Sequence, residues 1–138
     1  MIVKMNSFGS VPISENIKTE NIFGCRVVLM KTATENIIYH IRADNQTLEK
    51  QLIAFCGTHK IKKCVQLLPV SVGAFELHPL PIKSKVVRYS PKVLSLSNEV
   101  VDFSKLLNIP ISELNKEKSA NYVGIFGTKF TFHNLKIN

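Results

Sequence analysis

The sequence predicts an α+β fold: a mostly antiparallel sheet or small β-sandwich with one or two flanking helices. Two observations carry that prediction. Short runs of β-branched and apolar residues recur along the chain, each bounded by turn-forming residues. One stretch, residues 46–56, instead spaces its apolar side chains for a helix. Strands, then one helix, then more strands is an α+β order and not the alternation of a parallel α/β sheet. The 138 residues suit a single domain over 1–138. A chain of this length buries roughly two-thirds of the surface that its unfolded form exposes.

Residues 1–21 are polar and turn-rich, with Gly9, Pro12 and several Asn and Ser, and read as an irregular leader across one end of the fold. Arg26 to Lys31 and Asn36 to Arg42 are strands flanking the turn "TATE". Asp44 or Asn45 is the expected N-cap of the helix. Leu48, Leu52 and Phe55 line its apolar face, and Gly57 stands where a C′ glycine belongs. "KCVQLLPVSV" is a strand, followed by "AFELHPLPI" and "KVVRYSPKVLSL", in which Pro79, Pro81 and Pro91 favour edge strands or loops. A helical turn is expected from about Asp102, and a polar loop or second short helix after Pro110. "NYVGIFGTKFTFHNL" closes the chain as one or two strands with bends at Gly124 and Gly127.

Eighteen Lys+Arg against ten Asp+Glu give a net charge of +8, which favours acidic partners. The basic residues are dispersed, densest at Lys60, Lys62 and Lys63 and again at Lys83, Lys85, Arg88 and Lys92. No run of five like charges occurs, so the charge reads as a solvated face before a nucleic-acid groove. No cleavable signal and no stretch of 18 apolar residues is present. Three cysteines, an odd number, read as free thiols of a reducing compartment. The expected location is therefore cytoplasmic, or a host cytosol reached without a cleaved signal, with no membrane partner.

The stretch "FGCRVVLMKTATENIIYH" carries a thiol at one end and an imidazole at the other. Alternation puts Cys25, Val27 and Leu29 on one face, and Ile38, His40 and Arg42 on one face of the returning strand. A two-residue turn sets Cys25 opposite His40. A four-residue loop sets Cys25 opposite Arg42, with His40 diagonal to it. Either even loop puts thiol and imidazole on a common face, and an odd loop separates them. Such a pair supports a thiolate–imidazolium nucleophile with a lowered cysteine pKa. Gly24 permits a sharp backbone there, and backbone N–H groups of Gly24 and Cys25 offer an oxyanion site.

These residues resemble the catalytic hairpin of the bacterial glutamine deamidases of the cytotoxic necrotizing factor type. That superfamily includes the Burkholderia lethal factor and the chemotaxis receptor deamidase CheD. The resemblance covers residues 19–42. Gly24-Cys25 matches the nucleophile, His40 follows fifteen residues on, and Thr19 precedes Cys25 by six. Where the toxins carry Leu-Ser-Gly-Cys, this chain has Ile22-Phe23-Gly24-Cys25. The resemblance implies a toxin or effector hydrolase in which Cys25 attacks a glutamine side-chain amide. His40 would transfer protons, and Thr19 would orient His40. It implies neither cofactor nor metal, and a protein substrate that presents a glutamine, in the toxins often a host regulatory protein. An amine in place of water would make the same site a transglutaminase.

Two alternatives stand beside it. One is a Cys–His peptidase or acyl-transfer enzyme using the same pair. The other is a non-catalytic basic module that binds nucleic acid or an acidic protein through the lysine clusters. "CGTHKIKKC" holds Cys56, His59 and Cys64, but it lacks a fourth zinc ligand and reads as core thiols. His78 stands just before Pro79 and Pro81, on the surface or lining a cleft, and His133 is expected to be exposed.

Overall fold

In the computed structural model, residues 1–70, 79–90, 121–133 and 135 are described. The expected helical turn near Asp102, the segment after Pro110, His78 and Pro91 lie outside the described residues. Nine strands and one helix follow in chain order: β1 (Ile2–Val3), β2 (Ser7–Pro12), β3 (Ile17–Glu20), β4 (Arg26–Lys31), β5 (Glu35–Ile41), α1 (Gln46–Thr58), β6 (Lys63–Pro69), β7 (Lys85–Tyr89), β8 (Tyr122–Phe126) and β9 (Lys129–His133). They build a four-stranded sheet of order β1-β3-β8-β9 and a five-stranded sheet of order β2-β5-β4-β6-β7. Pairing is antiparallel except for β1 with β3 and β6 with β7. This is the expected α+β class, with one helix among the described residues.

The two sheets share a core. Val27, Leu29, Ile38, Val65, Leu67 and Val87 of the five-stranded sheet pack with Ile17, Val123, Ile125, Phe130 and Phe132 of the other. Period-two alternation in every strand supplies this inner layer. Burial of each such aliphatic side chain contributes about 1.5–3 kcal/mol. The other face of the five-stranded sheet takes the helix: Leu48, Leu52 and Cys56 pack on Val28, Met30, Ile37, Tyr39 and Ile41. Arg26 also points to this side, and its guanidinium is paired with Glu49 and Gln66. The central strand β4 is therefore buried along its whole length.

Residues 1–21 are not an irregular leader. They supply β1, β2 and β3, and so join both sheets. Their polar composition misleads because β1 and β2 lie at sheet edges, where one face meets solvent. The helix is capped by Asn45, whose side chain accepts from the Leu48 N–H at 3.0 Å. Gly57 is inside the helix and not a C′ residue. The helix runs on to Thr58, whose hydroxyl turns back to the Ala54 and Phe55 carbonyls, and His59 caps it in an extended conformation. Gly127 does turn, at φ 62. Gly124 instead lies mid-strand opposite Lys18, where a Cβ would come within 2.8 Å of the Ile17 carbonyl oxygen. No helix among the described residues is long and apolar enough to cross a membrane.

Candidate active site

The β4–β5 register places Val27 opposite His40, Leu29 opposite Ile38 and Lys31 opposite Asn36. The hairpin therefore has the longer of the two even-loop registers. Its turn is held by the Thr32 hydroxyl, which accepts from the Thr34 and Glu35 N–H groups at 3.2 and 3.0 Å. The ladder ends at Arg26 opposite Ile41, and Cys25 stands just before it in the bend of residues 23–25. Two electrostatic influences describe its surroundings. The Arg42 cation acts on the Cys25 thiol, and the thiol acts on Tyr89, a member of the layer between the sheets.

Thr19 comes to His40 from the other sheet. It shares a face of β3 with the core residue Ile17, and its Oγ1 lies 2.7 Å from His40 Nδ1. The same hydroxyl donates to the Val3 carbonyl oxygen, also at 2.7 Å. A carbonyl can only accept, and a hydroxyl has one hydrogen. Thr19 must then accept from His40, so Nδ1 carries the ring proton. Nε2 is left with its lone pair, buried and without a hydrogen-bond partner among the described residues. The parallel β1–β3 pair, with Val3 beside Thr19, thus fixes the tautomer of a histidine on a third strand.

Burial sets the charge states. His40 is 0% exposed, and desolvation lowers its pKa from 6.5 to about 4. Burial raises the Cys25 pKa, while Arg42 and a hydrogen bond from the Gly24 N–H pull it back. The expected thiolate–imidazolium pair is therefore corrected: the resting groups are a neutral thiol and a neutral imidazole. Removing two charges from water costs more than their mutual attraction returns unless further polar groups support them.

The loop from Thr19 to Cys25 is clamped by a residue far along the chain. The Asn121 side chain accepts from the Ile22 N–H at 3.0 Å and donates to the Ile22 carbonyl. The Asn121 backbone carbonyl accepts from the Asn21 N–H at 3.0 Å. Asn21 takes φ 57, a left-handed conformation that asparagine tolerates. The expected sharp backbone is present, since residues 23–25 form a bend just before β4. Gly24 makes it without a left-handed φ, and a Cβ there would meet nothing within 4 Å. What Gly24 contributes is open space beside the thiol and an N–H turned toward the sulfur. The Tyr89 hydroxyl donates to the Cys25 carbonyl at 2.5 Å, which anchors the Cys25 peptide from β7. Sequence reasoning missed Val3, Tyr89 and Asn121. A signal existed only for Tyr89, which alternates in phase with the apolar Val87.

The remaining candidates stay apart from this site. Cys56 and Cys64 are buried in the helix-side core. Burial pushes the Cys56 thiol up to about 11 and the Cys64 thiol further still. His59 stacks on Phe55 at 4.0 Å, and no group of three metal-binding side chains assembles among the described residues. His133 is buried, not exposed, and stacks on Tyr122 at 4.8 Å. Alternation had correctly turned it away from Phe130 and Phe132, but the outer face at that position is covered and not solvated.

No protein-family model and no curated protein matches the chain. Among solved structures, it is similar to the crystal structure of the C-terminal domain of CNFy from Yersinia pseudotuberculosis, at a TM-score of 0.34 and 9% identity. That likeness covers 99% of this chain and 61% of the other, so the chain spans less than two-thirds of that domain.

Proposed function

We propose that the protein is a cysteine-dependent deamidase of glutamine side chains in a protein substrate, with Cys25 as nucleophile, His40 as proton carrier and Thr19 as its positioning residue. The observation that carries the reading is the hydroxyl relay. Thr19 donates to Val3 and accepts from His40, which leaves the basic Nε2 without a partner among the described residues, on the strand paired with the one that Cys25 precedes. A buried histidine with one nitrogen fixed and the other unpartnered is arranged as a general base. The short Gly24-Cys25, His40 and Thr19 motif supplies the choice of glutamine within acyl-transfer chemistry.

The steps follow from the neutral resting state. The Cys25 sulfur attacks the side-chain amide carbon as His40 Nε2 takes the thiol proton, forming a C–S bond and a tetrahedral oxyanion. The Cys25 backbone N–H is the donor for that oxygen, and the Gly24 N–H, which holds the sulfur at rest, turns to it as the sulfur becomes bonded to carbon. The Thr19 oxygen, accepting from Nδ1–H, stabilises the transient imidazolium. His40 then gives its proton to the leaving nitrogen, the C–N bond breaks and ammonia departs. Water, deprotonated by His40, hydrolyses the thioester to glutamate and restores the thiol. An amine in place of water gives a transglutaminated product. In the toxin-like form of this reading the substrate is a host regulatory protein.

The test is peptide mass spectrometry of eukaryotic and bacterial lysates treated with wild type or Cys25→Ser. Site-specific conversion of glutamine to glutamate with wild type alone is expected. A cleaved backbone or a transferred acyl group at the same cysteine would replace the deamidase by a peptidase or acyl-transfer enzyme. Turnover unaffected by Cys25→Ser would end the reading.

A further inference from the structure

At the far end of β4 from Cys25, roughly 17 Å along the strand at about 3.4 Å per residue, lies a cleft of about 580 Å³. Lys62, Lys63, Lys83 and Lys85 line it together with Ser84, Ile61, Ile82, Cys64, Val65 and Phe130. It opens where β6 outruns its neighbour: Lys63 and Cys64 pair with β4, but β7 joins only from Lys85 opposite Val65. Gln66 holds the approaching segment by donating to the Ser84 hydroxyl at 2.6 Å. All four lysines are exposed. Among the described residues no carboxylate pairs with any of them. The crowding is felt by the neighbouring Lys31, whose pKa falls through burial and through the Lys63 charge. Lys60 and Arg88, grouped with these residues in the sequence, do not line the cleft.

We infer that this cleft binds an acidic segment of a partner protein, an extended peptide whose carboxylates meet the lysines and whose apolar side chains meet Ile61 and Ile82. Four like charges held on a concave wall create a positive potential that a polyanion relieves. The lining favours an acidic peptide over nucleic acid. Its aromatic residue, Phe130, is 0% exposed and offers no ring face for base stacking. The half-buried isoleucines suit side chains between the charges. The inference stands independently of the chemistry at Cys25.

The test is fluorescence anisotropy of the full chain with a fluorescein-labelled peptide of Glu-Leu-Glu-Gly repeats. Oligo-dT of equal charge and inorganic triphosphate serve as competitors. Saturable binding that weakens with salt is expected. Affinity should fall about tenfold in the Lys62→Glu/Lys83→Glu variant, which corresponds to about 1.4 kcal/mol, and remain unchanged in Lys50→Glu on the exposed surface of α1. Equal binding by the double variant would overturn the inference. So would oligo-dT binding more tightly than the peptide, which makes the cleft a nucleic-acid surface, or triphosphate displacing the peptide at lower concentration, which makes it a small-anion site.

Discussion

The β4–β5 hairpin carries buried polar side chains at both ends, and the two ends are finished differently. Beside the turn, the Lys31 ammonium donates to Asn36 Oδ1 at 2.7 Å and to the Gly127 carbonyl at 3.0 Å. The Asn36 amide nitrogen reaches the Ile13 and Glu15 carbonyls at 3.3 and 2.9 Å. This set ties both sheets together, and its charged nitrogen is paired. At the open end, Thr19 is used twice, yet His40 Nε2 has no partner among the described residues and the Cys25 thiol stays neutral. The same hairpin thus has a satisfied end, which serves the scaffold, and an end where a buried ring nitrogen is left without a partner among the described residues. Leaving a buried acceptor unpaired costs about 1–3 kcal/mol. Such a cost is informative because most buried polar groups avoid it.

The sharpest division between the ends is catalytic. Cys25→Ser and His40→Asn are each expected to lower the deamidation rate by about a thousandfold or more, whereas Lys31→Met leaves the rate per folded molecule unchanged. A comparable loss in Lys31→Met, with the fold intact by circular dichroism, would erase the distinction. Next in size is Thr19→Val, expected to cost about 10- to 100-fold in rate, since the tautomer is no longer held. Thr19→Ser should restore most of it. A merely structural role for Thr19 would show as lost stability with normal turnover by the molecules that remain folded.

Stability reverses the ranking of the ends. Lys31→Met is expected to lower unfolding free energy by about 1–3 kcal/mol by stranding Asn36 and the Gly127 carbonyl, read as a shift in urea midpoint. Cys25→Ser should shift that midpoint far less. Acid should act on the open end. His40 has its pKa lowered from 6.5 to about 4, so between those values the unfolded chain binds a proton that the folded chain does not. Its contribution is complete above about pH 6.5 and is lost progressively as pH falls toward 4. Urea midpoints should fall across that window in wild type and less steeply in His40→Gln. The acid limb of kcat/KM should lie near pH 4 and not at the ordinary histidine value. The smallest effect expected is in thiol reactivity. Iodoacetamide should modify Cys25 first, then Cys56, then Cys64, following burial and the help that Arg42 gives Cys25.

Local chemistry made much of this molecule legible before any coordinates. Alternation and an even loop are enough to put Val27, Leu29, Ile38 and His40 on one face, because a strand's side-chain period leaves only parity to decide. Asn45 and the Leu48–Leu52 spacing likewise specify a helix and its buried side. Parity could not choose between the two even registers, and the Thr32 hydroxyl chose by organising a four-residue turn. Local composition failed where burial is a tertiary outcome. Residues 1–21 read as a leader because edge strands expose polar side chains, and His133 read as exposed because what covers it is remote in sequence.

The amino-acid order alone determined the α+β class and the common face of the two hairpin strands, since each depends on neighbours a few positions apart. Tertiary structure decided what surrounds Thr19, Cys25 and His40. Thr19 reaches His40 only because β3 belongs to the opposing sheet. The direction of its hydrogen bond depends on Val3, sixteen residues away, and the Cys25 loop is held by Asn121, ninety-nine residues from Ile22. The charge states follow the same division. A sequence can name a thiol and an imidazole, but the water removed when two sheets close over them determines that both rest neutral.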